Sequence, residues 1–265
     1  MARSPDDFRA RYGPWAVVAG ASQGLGAEYA AQLAARGLHL VLIARRETEL
    51  AARGAELATR HGIQVRTLPL DLAREDMGEV VAAETADIEI GLLVYNAALS
   101  VIGPFYERPL AEHLTEVGVN CRAPLALGYL LGQGMRARGR GGIILMSSLS
   151  ATMGSALIAN YAATKAYNMV LAEGLWEELR GRGVDVMACC AGAVSTPNYT
   201  ASGSQSNRGG MTPRAVVAET LAALGRTPSF IPGRGNRLAA FALRRLPRRM
   251  TIRLMGRVMR GMYGK

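Results

Sequence analysis

Short apolar runs along this chain alternate with longer stretches whose apolar residues recur at helical spacing. Residues 15–20 (WAVVAG), 38–44, 63–70, 89–96, 142–148 and 184–192 read as buried strands, with 229–232 as a short last one. Helices are expected over 27–36, 47–61, 73–86, 110–138, 159–180 and 211–224. The stretch 110–138 reads as one long helix with Pro124 as its kink, and Thr212 and Pro213 supply the N-cap and first position of the helix after them. Strands and helices alternating in this way predict an α/β fold built of βα units on a parallel sheet. Right-handed crossovers then gather every strand-to-helix turn at one end of the sheet, where ligands of open α/β sheets bind. The rhythm breaks at 196–210 (TPNYTASGSQSNRGG), a polar stretch whose length and place predict a lid over the site. Beyond it, 236–246 and 248–263 read as two amphipathic helices split by Pro247.

Composition narrows the class. A hydrophobic fraction of 49% with 20% charged residues is that of a soluble globular chain with a sizeable core. No apolar run approaches the ~18 residues that span a bilayer, and the opening MARSPDDFRARYG has no apolar core, so no secretory signal is expected. Cys121, Cys189 and Cys190 form neither a disulfide framework nor a zinc spacing; reduced thiols in a cytoplasmic protein are expected, with no metal. The net charge of +10 is unevenly placed: residues 1–225 carry 20 basic and 21 acidic groups, and 226–265 carry 11 basic groups and no acid. The body is neutral, so the whole-chain charge does not argue for nucleic-acid binding, and none is expected. The tail is open to several readings. It is a packed terminal helix with snorkelling arginines, a peripheral contact with an anionic membrane, a cover for the active site, an oligomer contact, or a lure for an acidic substrate.

Two stretches carry chemistry. The first strand breaks into Gly20-Ala-Ser22-Gln23-Gly24-Leu25-Gly26 and then a helix. Glycines permit a tight turn and close backbone approach to phosphate, and the helix N-terminus offers free N–H groups. The G-x-x-x-G-x-G spacing is one residue off the usual dinucleotide fingerprint, and its strand–helix context points to a dinucleotide. The second strand closes on Ala44, Arg45 and Arg46 with no acid; guanidiniums there suit a ribose 2′-phosphate, favouring NADP(H) over NAD(H). Asp71 and Leu72, and Asn96-Ala97-Ala98, end the third and fourth strands on the same sheet edge.

The second stretch is Ser148, after strand five, followed thirteen residues later by Tyr161-x-x-x-Lys165. Four residues apart on a helix, the phenol and the ammonium share a face. A neighbouring cation is expected to lower the phenol pKa and make it a proton donor. Of 31 Lys+Arg only Lys165 and the terminal Lys265 are lysines, so the one internal position that did not take arginine is this one. Ser147 is a rival to Ser148, and the spacing to Tyr161 favours Ser148.

These elements, in this order, resemble the short-chain dehydrogenase/reductase family over about residues 12–232, in its NADP(H)-preferring form. The set is Gly20-x-x-x-Gly24-x-Gly26, Asp71, Asn96-Ala97, Asn120, Ser148, Tyr161-x-x-x-Lys165 and Ala191-Gly192-x-Val194-x-Thr196. Ala19, Ala98 and Ala191 stand where the family usually has Thr, Gly and Pro. The resemblance implies a Rossmann-type, doubly wound parallel sheet of about seven strands in the order 3-2-1-4-5-6-7. It also implies one dinucleotide-binding and catalytic domain over 1–235, with 236–265 as a basic helical tail. It implies Tyr161 as proton donor, Lys165 as the group that lowers its pKa and holds the nicotinamide ribose, and Ser148 as the group polarising the substrate carbonyl. Asn120 would position a relay water, Val194 and Thr196 would hold the carboxamide, and Asp71 and Leu72 the adenine. The expected activity is NADPH-dependent interconversion of a hydrophobic ketone or aldehyde and its alcohol, a steroid-like ketone or a 3-oxoacyl thioester, by a homodimer or homotetramer. The apolar segment 149–158 is expected to line the pocket. A non-catalytic dinucleotide sensor and an S-adenosylmethionine-dependent methyltransferase are the rivals. The first is disfavoured because Ser148, Tyr161 and Lys165 are all present, the second because it leaves them without a role.

Overall fold

The structure, a computed structural model, describes residues 4–196 and 210–263. Seven parallel strands form one sheet in the order β3-β2-β1-β4-β5-β6-β7: β1 Trp15–Ala19, β2 His39–Ala44, β3 Val65–Pro69, β4 Ile90–Tyr95, β5 Gly141–Ser148, β6 Val184–Ala191 and β7 Ser229–Phe230. Helices α1 Pro5–Tyr12, α2 Gly24–Ala34, α3 Glu47–His61, α4 Met77–Glu84, α5 Leu110–Val117, α6 Ala123–Arg138, α7 Ala159–Glu178 and α8 Pro213–Ala223 surround it, and α9 Arg234–Arg245 and α10 Arg248–Tyr263 follow. This is the expected Rossmann-type order.

The central strands are buried on both faces, and alternate side chains feed two cores. Ala16 and Val18 of β1 join Tyr29, Leu33, Leu50 and Val217 on one side, and Trp15, Val17 and Ala19 join Met77, Val81, Leu127 and Leu131 on the other. Pro69, which cannot donate to a ladder, ends β3 at the sheet edge, where that costs least. Thr212 caps α8 as expected, its Oγ1 accepting from Ala215 N at 3.3 Å.

Three departures from the sequence reading have local causes. An unexpected helix, α1, is capped by Ser4 and pinned by Phe8 and Tyr12, whose hydroxyl donates to Asp185 at 2.6 Å. The helix expected over 73–86 begins only at Met77, because Asp71 first accepts from Ala73 N at 2.9 Å and its carbonyl from Arg74 N. The long helix expected over 110–138 is two helices joined by a π-helical turn, Gly118–Arg122. Pro124 has no N–H for the carbonyl of Asn120, one helical turn back, and Asn168 Nδ2 donates to that carbonyl instead at 3.0 Å. Most of the expected lid, residues 197–209, lies outside the described residues. The expected tail helices are present on either side of Pro247. Among the described residues no helix is long and apolar enough to cross a membrane.

Candidate active site

A cleft of about 640 Å³ opens along the C-terminal edge of the sheet. Its floor begins at the glycine turn after β1. Gly20 (φ +81°) and Gly24 (φ +59°) hold left-handed backbone that disfavours other residues. A Cβ on Gly20 would lie 2.7 Å from Ala97 Cα, and one on Gly26 would lie 1.9 Å from Gly20 O. The first-turn N–H groups of α2, with no intrahelical acceptor, therefore border an open cradle with no side chain in the way. Ser22 and Arg46 meet at its outer rim, where Arg46 Nη2 donates to Ser22 Oγ at 3.1 Å, with Arg45 beside them. Asn96 ties the end of β4 to the turn, its Nδ2 donating to Gly20 O at 3.1 Å. Thr196 comes across from beyond β6 to within 3.2 Å of where a Gly24 Cβ would be. A phosphate-bearing dinucleotide fits this donor set: a cradle a Cβ would fill, helix N–H groups, and two guanidiniums at one end.

The other end of the cleft holds the residues expected to carry the chemistry. Ser148 ends β5, and Tyr161 and Lys165 lie one turn apart on α7, Lys165 Nζ standing 5.6 Å from the centre of the Tyr161 ring. Ser147 Oγ donates to Lys165 O at 2.7 Å and braces α7. Lys165, 2% exposed, donates to Met146 O at 3.0 Å. Burial pushes its pKa down to about 8.

The expected lowering of the Tyr161 pKa is overturned in this geometry. Packing around the ring pushes the phenol up to about 12, partly offset by a hydrogen bond with Ser148, and Lys165 is not among the groups that pull it down. The cause is desolvation of the phenolate, and the Lys165 ammonium is turned to the Met146 carbonyl.

The cleft is lined by Gly20, Ser22, Gln23, Gly24, Leu25, Arg45, Arg46, Asp71, Leu72, Asn96, Ala97, Ala98, Ser148, Tyr161, Lys165, Ala191, Gly192, Val194 and Thr196. Gly26 and Asn120 stand behind it. Asn120 is fully buried and braces the strand-four loop: its Oδ1 accepts from Leu99 N at 2.9 Å, and its Nδ2 donates to Leu99 O at 2.8 Å and Thr164 Oγ1 at 3.0 Å. Its side chain is thus committed to protein partners. A larger hollow of about 820 Å³ lies at the far ends of β5 and β6 near Arg136 and Arg182, remote from these groups.

Sequence reading passed over several site residues. Leu99, Thr115, Val119 and Met146 line the cleft without belonging to any motif. Glu116 is a fully buried carboxyl that accepts from Val101 N at 2.9 Å and Asn160 Nδ2 at 2.6 Å, and burial raises its pKa. The signal was one acid falling on the buried face of α5, one turn ahead of Asn120. His113 is buried and stacked on Phe105 at 4.5 Å. Of the apolar segment 149–158, Ala156 and Leu157 line a separate hollow of about 300 Å³ with Val101, Phe105 and His113.

Comparison with known proteins bears on this geometry. A family model described as short chain dehydrogenase matches residues 14–207. The 7beta-hydroxysteroid dehydrogenase of Clostridium sardiniense is 32% identical over 235 residues, 87% of this chain and 90% of that protein. The very-long-chain 3-oxoacyl-CoA reductase of Laccaria bicolor is 33% identical over 183 residues, 68% of this chain but only 54% of that longer protein. A solved structure of a 7beta-hydroxysteroid dehydrogenase superposes with a TM-score of 0.89 at 26% identity, covering 97% of this chain and all (100%) of the other. A short-chain dehydrogenase from Sphingobium yanoikuyae, solved in complex with NADPH, superposes with a TM-score of 0.77 at 27% identity, covering 88% and 94%.

Proposed function

The chain belongs to the short-chain dehydrogenase family, and on that premise we propose that it is an NADP(H)-dependent oxidoreductase that interconverts a hydrophobic ketone and its secondary alcohol. The observation that carries this reading is the meeting, in one cleft, of the Ser148–Tyr161–Lys165 group with a phosphate cradle that ends on Arg45 and Arg46. Residues 1–235 hold cofactor and chemistry, and 236–265 form the tail. The bound nicotinamide supplies the hydride. Tyr161 gives its proton to the substrate oxygen in reduction and takes it back in oxidation. Ser148 donates a hydrogen bond to the same oxygen, so negative charge developing there meets two hydroxyl donors. Lys165 would hold the nicotinamide ribose and supply positive charge beside the phenol. Asn120 keeps its place as the brace of the Leu99 loop. Cys121, Cys189 and Cys190 are free, in keeping with a cytoplasmic setting.

Support for a substrate class comes from the segment that links Ser148 to Tyr161 and from the relatives. Helix α10 lies along the segment that links Ser148 to Tyr161: Arg248 Nη1 donates to Thr152 O at 3.4 Å, and a Cβ on Gly256 would stand 3.7 Å from Ala156. Tyr263, at its end, lies near enough to Tyr161 to raise the phenol pKa. A wall of this kind suits a bulky apolar ketone, and a steroid-like ketone, as in the name of the Clostridium sardiniense relative, is favoured over a 3-oxoacyl thioester.

Self-association is part of the same reading. Leu110 and Leu114 on α5, Leu125 and Tyr129 on α6 and Val170 on α7 are exposed large apolar residues at helical spacing, a face suited to a second copy in a homodimer or homotetramer. Replacing Tyr129 and Val170 by Arg is expected to halve the mass measured by light scattering.

The central test is NADPH oxidation, followed by absorbance, against a panel of steroid ketones, 3-oxoacyl thioesters and small ketones. Turnover of a steroid ketone well above the others is expected. Tight NADPH binding with no turnover of any carbonyl would instead favour the sensor reading.

A further inference from the structure

The two tail helices are two-faced in an unusual sense. Their inner face is accounted for: Asn236 donates to Pro232 O at 2.9 Å and fills the space beside Gly192, while Thr251 and Gly256 are buried. The outer face, which on a packed terminal helix should be polar, is apolar as well. Leu238 and Phe241 on α9 are 70% and 55% exposed, and Met250, Leu254 and Val258 on α10 are 56%, 42% and 41% exposed. The last three recur every fourth residue, so they form a stripe along α10. Beside that stripe, Arg249, Arg253 and Arg257 recur at the same spacing. Arg245 lies over the Phe241 ring, its guanidinium 4.5 Å from the ring centre. The 11 basic residues of 226–265 have no acid among them, and within the described residues only Arg237 pairs with a carboxylate, that of Glu219.

We propose that the outer face of α9 and α10 is a docking surface for an anionic bilayer, with the apolar stripe set among the acyl chains and the arginines on the lipid phosphates. Charge decides the occupant. A second copy would bring the same uncompensated cations against themselves. A nucleic acid would satisfy the arginines and leave Leu238, Leu254 and Val258 with nothing to bury them. An anionic bilayer answers both halves of the pattern. The face lies on the back of the wall formed by α10 against Thr152 and Ala156. Docking therefore brings the substrate segment to the phase in which an apolar ketone is most concentrated; this last step rests on the ketone reductase reading above.

The test uses the full chain and flotation with vesicles of phosphatidylcholine alone or with one third phosphatidylglycerol. Wild-type protein is expected to float with the anionic vesicles only, and to be released at high salt, where screening shortens to about 3 Å at 1 M. Each arginine near an anionic leaflet contributes a factor of roughly five, so the ratio of bound to free protein should be tens-fold higher on the anionic vesicles. The double variant Phe241→Glu, Leu254→Glu, both at exposed positions, should lose at least tenfold in that ratio while keeping its melting temperature and its turnover of a water-soluble ketone. Failure of the wild-type chain to float, equal binding to neutral vesicles, or a double variant that floats like wild type would each overturn the proposal. So would a smaller molecular mass for the double variant, since that assigns the face to a second copy. Flotation as expected, in a protein that turns over no ketone, would sink the reductase reading and leave the docking surface standing.

Discussion

The cleft and the separate hollow beside it handle left-handed backbone differently. In the glycine turn of the cleft the positions with positive φ are Gly20 and Gly24. In the hollow the position is Leu157, at φ +65°, the only non-glycine residue in that region among the described residues. The glycines are dictated by proximity: a Cβ on Gly20 would sit 2.7 Å from Ala97 Cα. At Leu157 the backbone cost of about 1–2 kcal/mol is carried so that a large apolar side chain can stand at that point, in the hollow with Val101 and Phe105. The glycine turn is thus built by removing side chains, and the hollow by placing one.

The largest effect expected is at Tyr161, in the cleft. Tyr161→Phe should lower kcat by about 10²–10⁴-fold, with NADPH affinity, followed by fluorescence titration, nearly unchanged. A variant with full turnover would remove Tyr161 from the chemistry. Next in size is the pair Arg45→Ala, Arg46→Ala. A hydrogen bond to a charged group is worth roughly 1.5–3 kcal/mol, so losing this end of the cradle should cut the NADPH-over-NADH preference in kcat/KM by about 10–100-fold. An unchanged ratio would mean that the 2′-phosphate is not read there.

The same contrast explains what could be read from the sequence. Gly20, Gly24, Arg45, Asn96, Ser148 and Lys165 were all legible, because a strand end and a fixed spacing are enough to put them on one sheet edge. The order of the strands followed from the family resemblance and from the handedness of βα units. What escaped depends on contacts remote in sequence. The π-helical turn needs both Pro124 and the amide of Asn168. The buried Glu116 needs Val101 N and Asn160 to satisfy it. The direction of Lys165 depends on the Met146 carbonyl, and burial of the Tyr161 ring by groups remote in sequence reversed its expected shift. Apolar periodicity showed that the tail helices had two faces, but not that α10 would turn Met255 and Met259 inward and leave Leu254 and Val258 outside.

Lys165 supplies a third test, on stability. Its pKa falls from 10.5 to about 8 through burial, so between those values the unfolded chain holds the extra proton and wild-type stability rises with pH. Below pH 8 the full penalty is present, on the order of 3 kcal/mol. Lys165→Met, which keeps the volume and removes the charge, should therefore be inactive yet more stable at pH 7 in the absence of nucleotide. Losing the bond to Met146 O trims the gain. The gap should close as pH climbs toward 10.5, followed by urea unfolding at a series of pH values. A gap that stays constant with pH would show that the ammonium is not desolvated there.

The smallest effect bears on Leu157 itself. Leu157→Gly frees the left-handed backbone of about 1–2 kcal/mol of strain and adds about 0.5–1 kcal/mol of chain entropy to the unfolded state. The Leu157 carbonyl, which accepts from Gly103 N at 2.8 Å, is untouched. Loss of the side chain from its hollow removes some burial, though Leu157 is only partly buried. These opposing contributions leave stability within about 1 kcal/mol of wild type. Selection should shift far more than stability: KM for a bulky ketone should rise several-fold, while KM for a small ketone and the affinity for NADPH stay put. If the variant instead melts several degrees higher with an unchanged KM for every ketone, the strain at Leu157 serves nothing in substrate choice. The glycine turn and the hollow would then differ in conformation alone.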